Sequence, residues 1–97
     1  MNILPIAASS LRAASKATAI RANNIVNAST PDFKPAAPVF QGTKNAGVSV
    51  MAQTVNQPVN LVNEALGLNA AANQYEASAA LVKIDERQSK ALFDAIA

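Results

Sequence analysis

VNLVNEALGLNAAANQYEASAALVKIDERQSKALFDAI, residues 59–96, carries the strongest pattern in the chain. One line recurs every seven residues: Leu61, Leu68, Tyr75, Val82, Ser89 and Ile96. A second line is interleaved with it: Ala65, Ala72, Ala79, Glu86 and Phe93. The spacing predicts a long helix over 59–96 with a coiled-coil seam broken at Glu86 and Ser89. A further apolar set, including Leu66, Leu81 and Ile84, lies to one side of that seam. A helix apolar on two sides is usually packed on two sides. Pro58 suits a first helical position. Glu86–Lys90 and Lys90–Asp94 stand four apart, the spacing of stabilising ion pairs. Gly67 weakens the helix by about 1 kcal/mol relative to alanine and permits a bend or a close approach.

Towards the N-terminus, residues 3–27 show a thinner version of the same periodicity. Leu4, Leu11, Thr18 and Ile25 form one line, and Ala7, Ala14, Arg21 and Ala28 the other. Asn2 suits a cap, and Pro5 falls in the first turn, where it is tolerated. The helix should end within NNIVNASTP (23–31), where Asn23 and Asn24 read as a helix-end signal and Pro31 cannot continue the helix. Between the two helices, residues 28–58 hold four of the five prolines and two of the three glycines. That stretch reads as an irregular connection, with a short strand possible over VSVMAQTV (48–55). Phe33 and Phe40 are its large apolar anchors.

The composition narrows the chemistry. In 97 residues there is neither cysteine nor histidine. Disulfides, thiolate metal sites and the usual general base near neutral pH are therefore absent from the chain. No cofactor and no metal are expected, and no catalytic residue is assigned. Tyr75 reads as a packed residue, and adjacent Asp85 and Glu86 diverge on a helix too far to chelate one ion easily. Aromatic residues are 4% and the net charge is +2, which does not suit nucleic acid. Twenty-two alanines make helices that approach closely while burying little area each. The apolar surface is therefore expected to face other copies or other proteins. Residues 1–31 carry Arg12, Lys16 and Arg21 without an acid, and residues 59–97 carry five acids, so the two ends suit each other as neighbours. No cleavable secretory signal is read at the N-terminus, and no run is apolar enough to span a membrane.

Both ends resemble a known family. SSLRAASKATAIRANNIVNASTPDFK (9–34) is similar to the N-terminal signature of bacterial flagellar axial proteins, the rod and hook family, through Ser10-Leu11, Asn24-Ile25-Val26-Asn27 and Thr30-Pro31-Asp32-Phe33-Lys34. VNLVNEALGLNAAANQYEASAALVKIDE (59–86) resembles the family's C-terminal signature through Val59 to Glu64, Tyr75-Glu76-Ala77-Ser78-Ala79 and Asp85-Glu86. The chain departs at Asp32 and Ser10, where the family favours glycine, and at Asn60, where it favours aspartate. It is also short for that family, so what it resembles is a proximal-rod-like member, for which no outer domain is expected.

The resemblance implies an all-α chain of two long terminal helices forming an antiparallel, coiled-coil-like pair, joined by an irregular or short β-containing connection. Residues 1–97 would form one inner-tube-type domain: helix 3–27, connection 28–58 and helix 59–96. The implied role is a structural subunit or adaptor of the basal-body rod, in the periplasm, exported by the flagellar type III apparatus without signal cleavage. Implied partners are further copies and other rod proteins, with no small-molecule substrate. The assembly interface would draw on Leu4, Leu11, Ala14, Asn24, Ile25, Asn27 and Phe33 in the first half. In the second half it would draw on Leu61, Leu68, Ala72, Tyr75, Ala79, Val82, Phe93 and Ile96. The rival reading is a cytosolic helical hairpin outside any filament, acting as a regulator or chaperone.

Overall fold

A computed structural model describes residues 3–44 and 46–96. In chain order it holds α1 (Ile3–Val26), β1 (Ala36–Thr43), β2 (Gly47–Thr54) and α2 (Leu61–Ile96). The expected cap at Asn2 lies outside the described residues.

Asparagines finish α1. The Asn27 side chain donates to the Asn23 carbonyl at 3.0 Å and to Asn23 Oδ1 at 3.2 Å, and accepts from the Thr30 hydroxyl at 3.2 Å. The Asn23 carbonyl, which also accepts from the Asn27 amide at 3.2 Å, is thus bonded twice, and the last turn of the helix is tied to the turn that follows. A tight turn follows, closed by the Phe33 amide donating to the Thr30 carbonyl at 3.3 Å. Pro31 sets its first central residue, and Asp32 takes φ 60°, as the third position of a type II turn requires. Glycine adopts this left-handed geometry freely and aspartate tolerates it, which explains why both residues suit the position. Asp32→Gly is therefore expected to keep stability or raise it by up to about 1 kcal/mol, whereas Asp32→Val lowers it by about 1–2 kcal/mol. Urea midpoints measure both, and equal losses would show that the turn geometry is not the constraint.

The middle of the chain corrects the all-α expectation. β1 and β2 form an antiparallel hairpin, with Phe40 opposite Val50 and Pro38 opposite Ala52. The Val55 amide donates to the Pro35 carbonyl at 2.8 Å, continuing the ladder one residue beyond the strands. That bond fixes the phase: odd-numbered pairs exchange hydrogen bonds, and even-numbered residues turn their amides and carbonyls outward. Pro38 is even-numbered, so its missing N–H costs the ladder nothing. The strand expected over 48–55 is present as β2. Its partner β1 was hidden by prolines, which argue against a strand in sequence but fit an edge position here.

α2 begins two residues later than its periodicity indicated. Asn60, not Pro58, governs the start: its Oδ1 accepts from the Asn63 amide at 3.1 Å, and its carbonyl from the Glu64 amide at 3.0 Å. A side-chain acceptor three residues ahead of an amide is the standard N-cap, for which Asp and Asn are equivalent.

α1 is the central element. The hairpin lies on one side of it, joined near the tip by the Val48 amide donating to Ser9 Oγ at 3.1 Å. At the base, Ala36 bonds to Asn24. α2 lies on another side, antiparallel, as the Ser78–Ser10 and Arg21–Glu64 pairs fix.

The coiled-coil seam is the second correction. The helices do not meet along the expected lines. The α1 stripe that meets α2 is Ala7, Ser10, Ala14, Ala17, Arg21 and Asn24; the α2 stripe is Glu64, Gly67, Ala71, Gln74 and Ser78. Only the Ala7–Ala14–Arg21 line was foreseen as a seam, and Arg21, the one charge in that line, bonds to Glu64. Small side chains let the backbones approach, and the polar ones pair with each other. Among the described residues the buried hydrophobic ones are Ala7, Ala13, Ala14, Ala17, Ala71 and Val50, none larger than valine. Burying methyl groups releases little free energy, at roughly 0.8 kcal/mol per carbon.

The shape follows. α2 has 36 residues against 24 in α1, and residues 86–96 are exposed throughout. The radius of gyration is 17.2 Å, where a compact chain of this length has about 12–13 Å. The ion pairs expected at Glu86–Lys90 and Lys90–Asp94 do not form; among the described residues the ion pair within 4 Å is Arg21–Glu64 at 3.4 Å.

Candidate functional site

Two polar junctions hold the helices in register. At the connection end, Asn24 is wholly buried. Its Nδ2 donates to the Ala36 carbonyl at 2.7 Å and to Glu64 Oε1 at 3.1 Å, while its Oδ1 accepts from the Ala36 amide at 3.0 Å. The side chain thus imitates a strand backbone towards β1 and reaches α2 with the same amide. Glu64 is also buried, and its second oxygen accepts from Arg21 at 3.4 Å. Arg21 reaches it by lying across Gly67, where a side chain would stand in its path. At the other end, Ser78 Oγ donates to Ser10 Oγ at 2.7 Å, and Gln74 Nε2 donates to the same hydroxyl at 3.2 Å. No buried side-chain polar atom among the described residues lacks a partner.

These junctions position an apolar face. Residues one position around a helix are offset by about 100°, so the expected heptad lines fall beside the contact stripe rather than in it. On α1 the line is Leu4, Leu11 and Ile25; on α2 it is Leu61, Leu68, Ala72, Tyr75, Ala79, Val82 and Phe93. With the helices antiparallel and the hairpin on the opposite side, both lines turn to the same side of the pair. Leu61 is 55% exposed, Tyr75 48% and Phe93 72%. Leu66, Ile84 and Leu92 stay exposed elsewhere on α2. The chain exposes 6882 Å², against about 5,200 Å² for a compact monomer of its mass. A protein this small does not leave so many large apolar side chains in water without a use for them.

The expected interface residues divide accordingly. Leu4, Leu61, Ala72, Tyr75, Phe93 and Ile96 are exposed; Leu11, Ile25, Asn27, Phe33, Leu68, Ala79 and Val82 are half-buried. Ala14 and Asn24 are buried within the chain, and Asn27 serves the end of α1. Reading the sequence missed Glu64, Gln74 and Ser78 as residues that join the helices, while the close approach expected at Gly67 is the passage of Arg21 across it. Two signals were present: a lone arginine in an apolar line of α1, and a lone acid near the start of α2.

Among the described residues there is no group of three or more acidic side chains placed to hold a metal ion. None of the described helices is long and apolar enough to cross a membrane.

Residues 4–34 match the model of a family described as flagella basal body rod protein. No curated protein matches the chain. The matched segment spans α1, its asparagine-rich end and the Thr30–Phe33 turn. It supports the resemblance drawn from the same residues.

Proposed function

We propose that the chain is a structural subunit or adaptor of the flagellar rod that joins its neighbours through the apolar face of its paired terminal helices. The observation that carries this is the side of the helix pair opposite the hairpin. It bears large apolar residues in heptad spacing on both helices, while the contact between the helices uses small and polar ones. The match over 4–34 supports a place in the rod, among other rod proteins. Export through the flagellar type III apparatus and contact with further copies belong to the same reading. Fractionation tests the location: the protein should co-purify with basal bodies, and absence from them would favour a cytosolic helical hairpin.

Substitution tests the face. Ala72 is exposed and Ala79 half-buried on that side. Leucine at either would intrude where a neighbouring helix sits, and overpacking costs about 1–3 kcal/mol per contact. Ala72→Leu and Ala79→Leu should lose rod incorporation and motility while leaving the melting temperature of the free chain unchanged. Asn73→Ala, exposed on another side of α2, is the control. Normal incorporation of both leucine variants would mean that this face meets solvent in the rod.

A further inference from the structure

The two edges of the hairpin are treated differently. Even-numbered residues point their backbone groups outward on both strands. On β1, Ala36 is engaged by Asn24, and Pro38 has no N–H to offer. On β2, only the Val48 amide is engaged, by Ser9. The outward amides of Val50, Ala52 and Thr54 have no partner among the described residues. β2 reads GVSVMAQT, without a proline or a charge. Those are the usual devices that stop an edge from accepting another strand, and this edge has neither.

The surroundings of the edge indicate what it accepts. A cleft of about 320 Å³ runs between α1 and β2, lined by Arg12 and Lys16 on one wall and Val48 to Val50 on the other. Arg12 and Lys16 stand one turn apart, and neither forms an ion pair among the described residues. An added strand would alternate its side chains, sending every second one towards this basic wall. Carboxylates at that spacing fit. A second copy of this chain cannot supply them in extended form. Five of its six acids lie on α2, and the sixth, Asp32, sits in the tight turn after α1.

We propose that the outer edge of β2 receives an extended acidic segment of another protein, which adds as a third strand and sets its carboxylates against Arg12 and Lys16. Main-chain bonds supply the affinity, and the basic wall selects the segment. This proposal is independent of the rod reading, because it concerns a peptide and the isolated protein.

The test uses two synthetic octapeptides, one alternating glutamate with valine and threonine, the other with lysine in place of glutamate. Amide exchange is followed by NMR in the full chain. The glutamate peptide should slow exchange at Ala52 and Thr54 by about tenfold or more, a factor that corresponds to about 1.4 kcal/mol. The ladder amides of Met51 and Gln53 should change little. Arg12→Glu combined with Lys16→Glu should weaken the glutamate peptide at least tenfold and favour the lysine one. Ala52→Pro should abolish binding, because it deletes an outward amide and no ladder bond. The charge-reversal pair keeps the test decisive should the proline variant fail to fold. Equal affinity for both peptides, or no protection at Ala52 and Thr54, overturns the proposal. Self-association of the chain through these same amides overturns the choice of another protein as the occupant.

Discussion

Asn24→Leu is expected to unfold the protein at 25 °C. The substitution keeps the branched outline of the side chain, in a somewhat larger form, but removes three hydrogen bonds at once: two to the backbone of Ala36 and one to Glu64. Each buried group left without a partner costs about 1–3 kcal/mol, so the three together cost about 3–9 kcal/mol. A domain of this length holds roughly 5–15 kcal/mol in total, and a core of alanines places it at the low end. Circular dichroism and urea titration should show loss of the cooperative transition. A loss below about 1 kcal/mol would mean that water replaces the side chain without penalty. Asn24→Asp distinguishes the donor from the shape. It keeps the acceptor for the Ala36 amide but sets two carboxylates side by side at neutral pH. Acidification should restore part of the stability of that variant, because a proton shared between the carboxyls replaces the missing donor.

Gly47→Ala should be the second most damaging single change. Gly47 has φ 88°, where a side chain is strained, and the hairpin passes so close to α1 that a methyl group would meet Ser9 and the Ile6 backbone. Strain and the lost Ser9–Val48 bond together cost about 2–4 kcal/mol. A double-mutant cycle separates them. In a Ser9→Ala background the steric part should shrink while the backbone part persists. If Gly47→Ala costs the same in both backgrounds, the close approach is irrelevant and the dihedral alone decides.

The two helices were legible in sequence because a seven-residue apolar repeat survives whatever the helix packs against. The face it marks was legible too, as surface expected to meet other copies or other proteins, but the residues that the two helices turn towards each other were not. Heptad reasoning sends the largest apolar residues to the nearest helix, and here that helix takes Ala71, Ser78 and Gln74 instead. Polar pairing between two helices has no periodic signature: Ser10 and Ser78 are ordinary residues until they are 2.7 Å apart. β1 was illegible for a local reason. A proline opposes a strand in the interior of a sheet, but the sequence does not announce that Pro38 occupies an outward edge. Asn24 was seen as a helix-end signal. Its three-way bonding depends on Ala36 and Glu64, and the latter lies 40 positions away.

The alanine core also has a thermal consequence. The heat capacity of unfolding comes mainly from apolar area newly exposed to water. A chain that buries little more than methyl groups gains little of it, so its stability varies gently with temperature and its melt is broad. The missing heat capacity belongs to the leucines, tyrosine and phenylalanine on the outer faces of α2. They release their bound water only when another molecule covers them, so in the assembly proposed above the thermal signature of a folded core is deferred to the moment of contact.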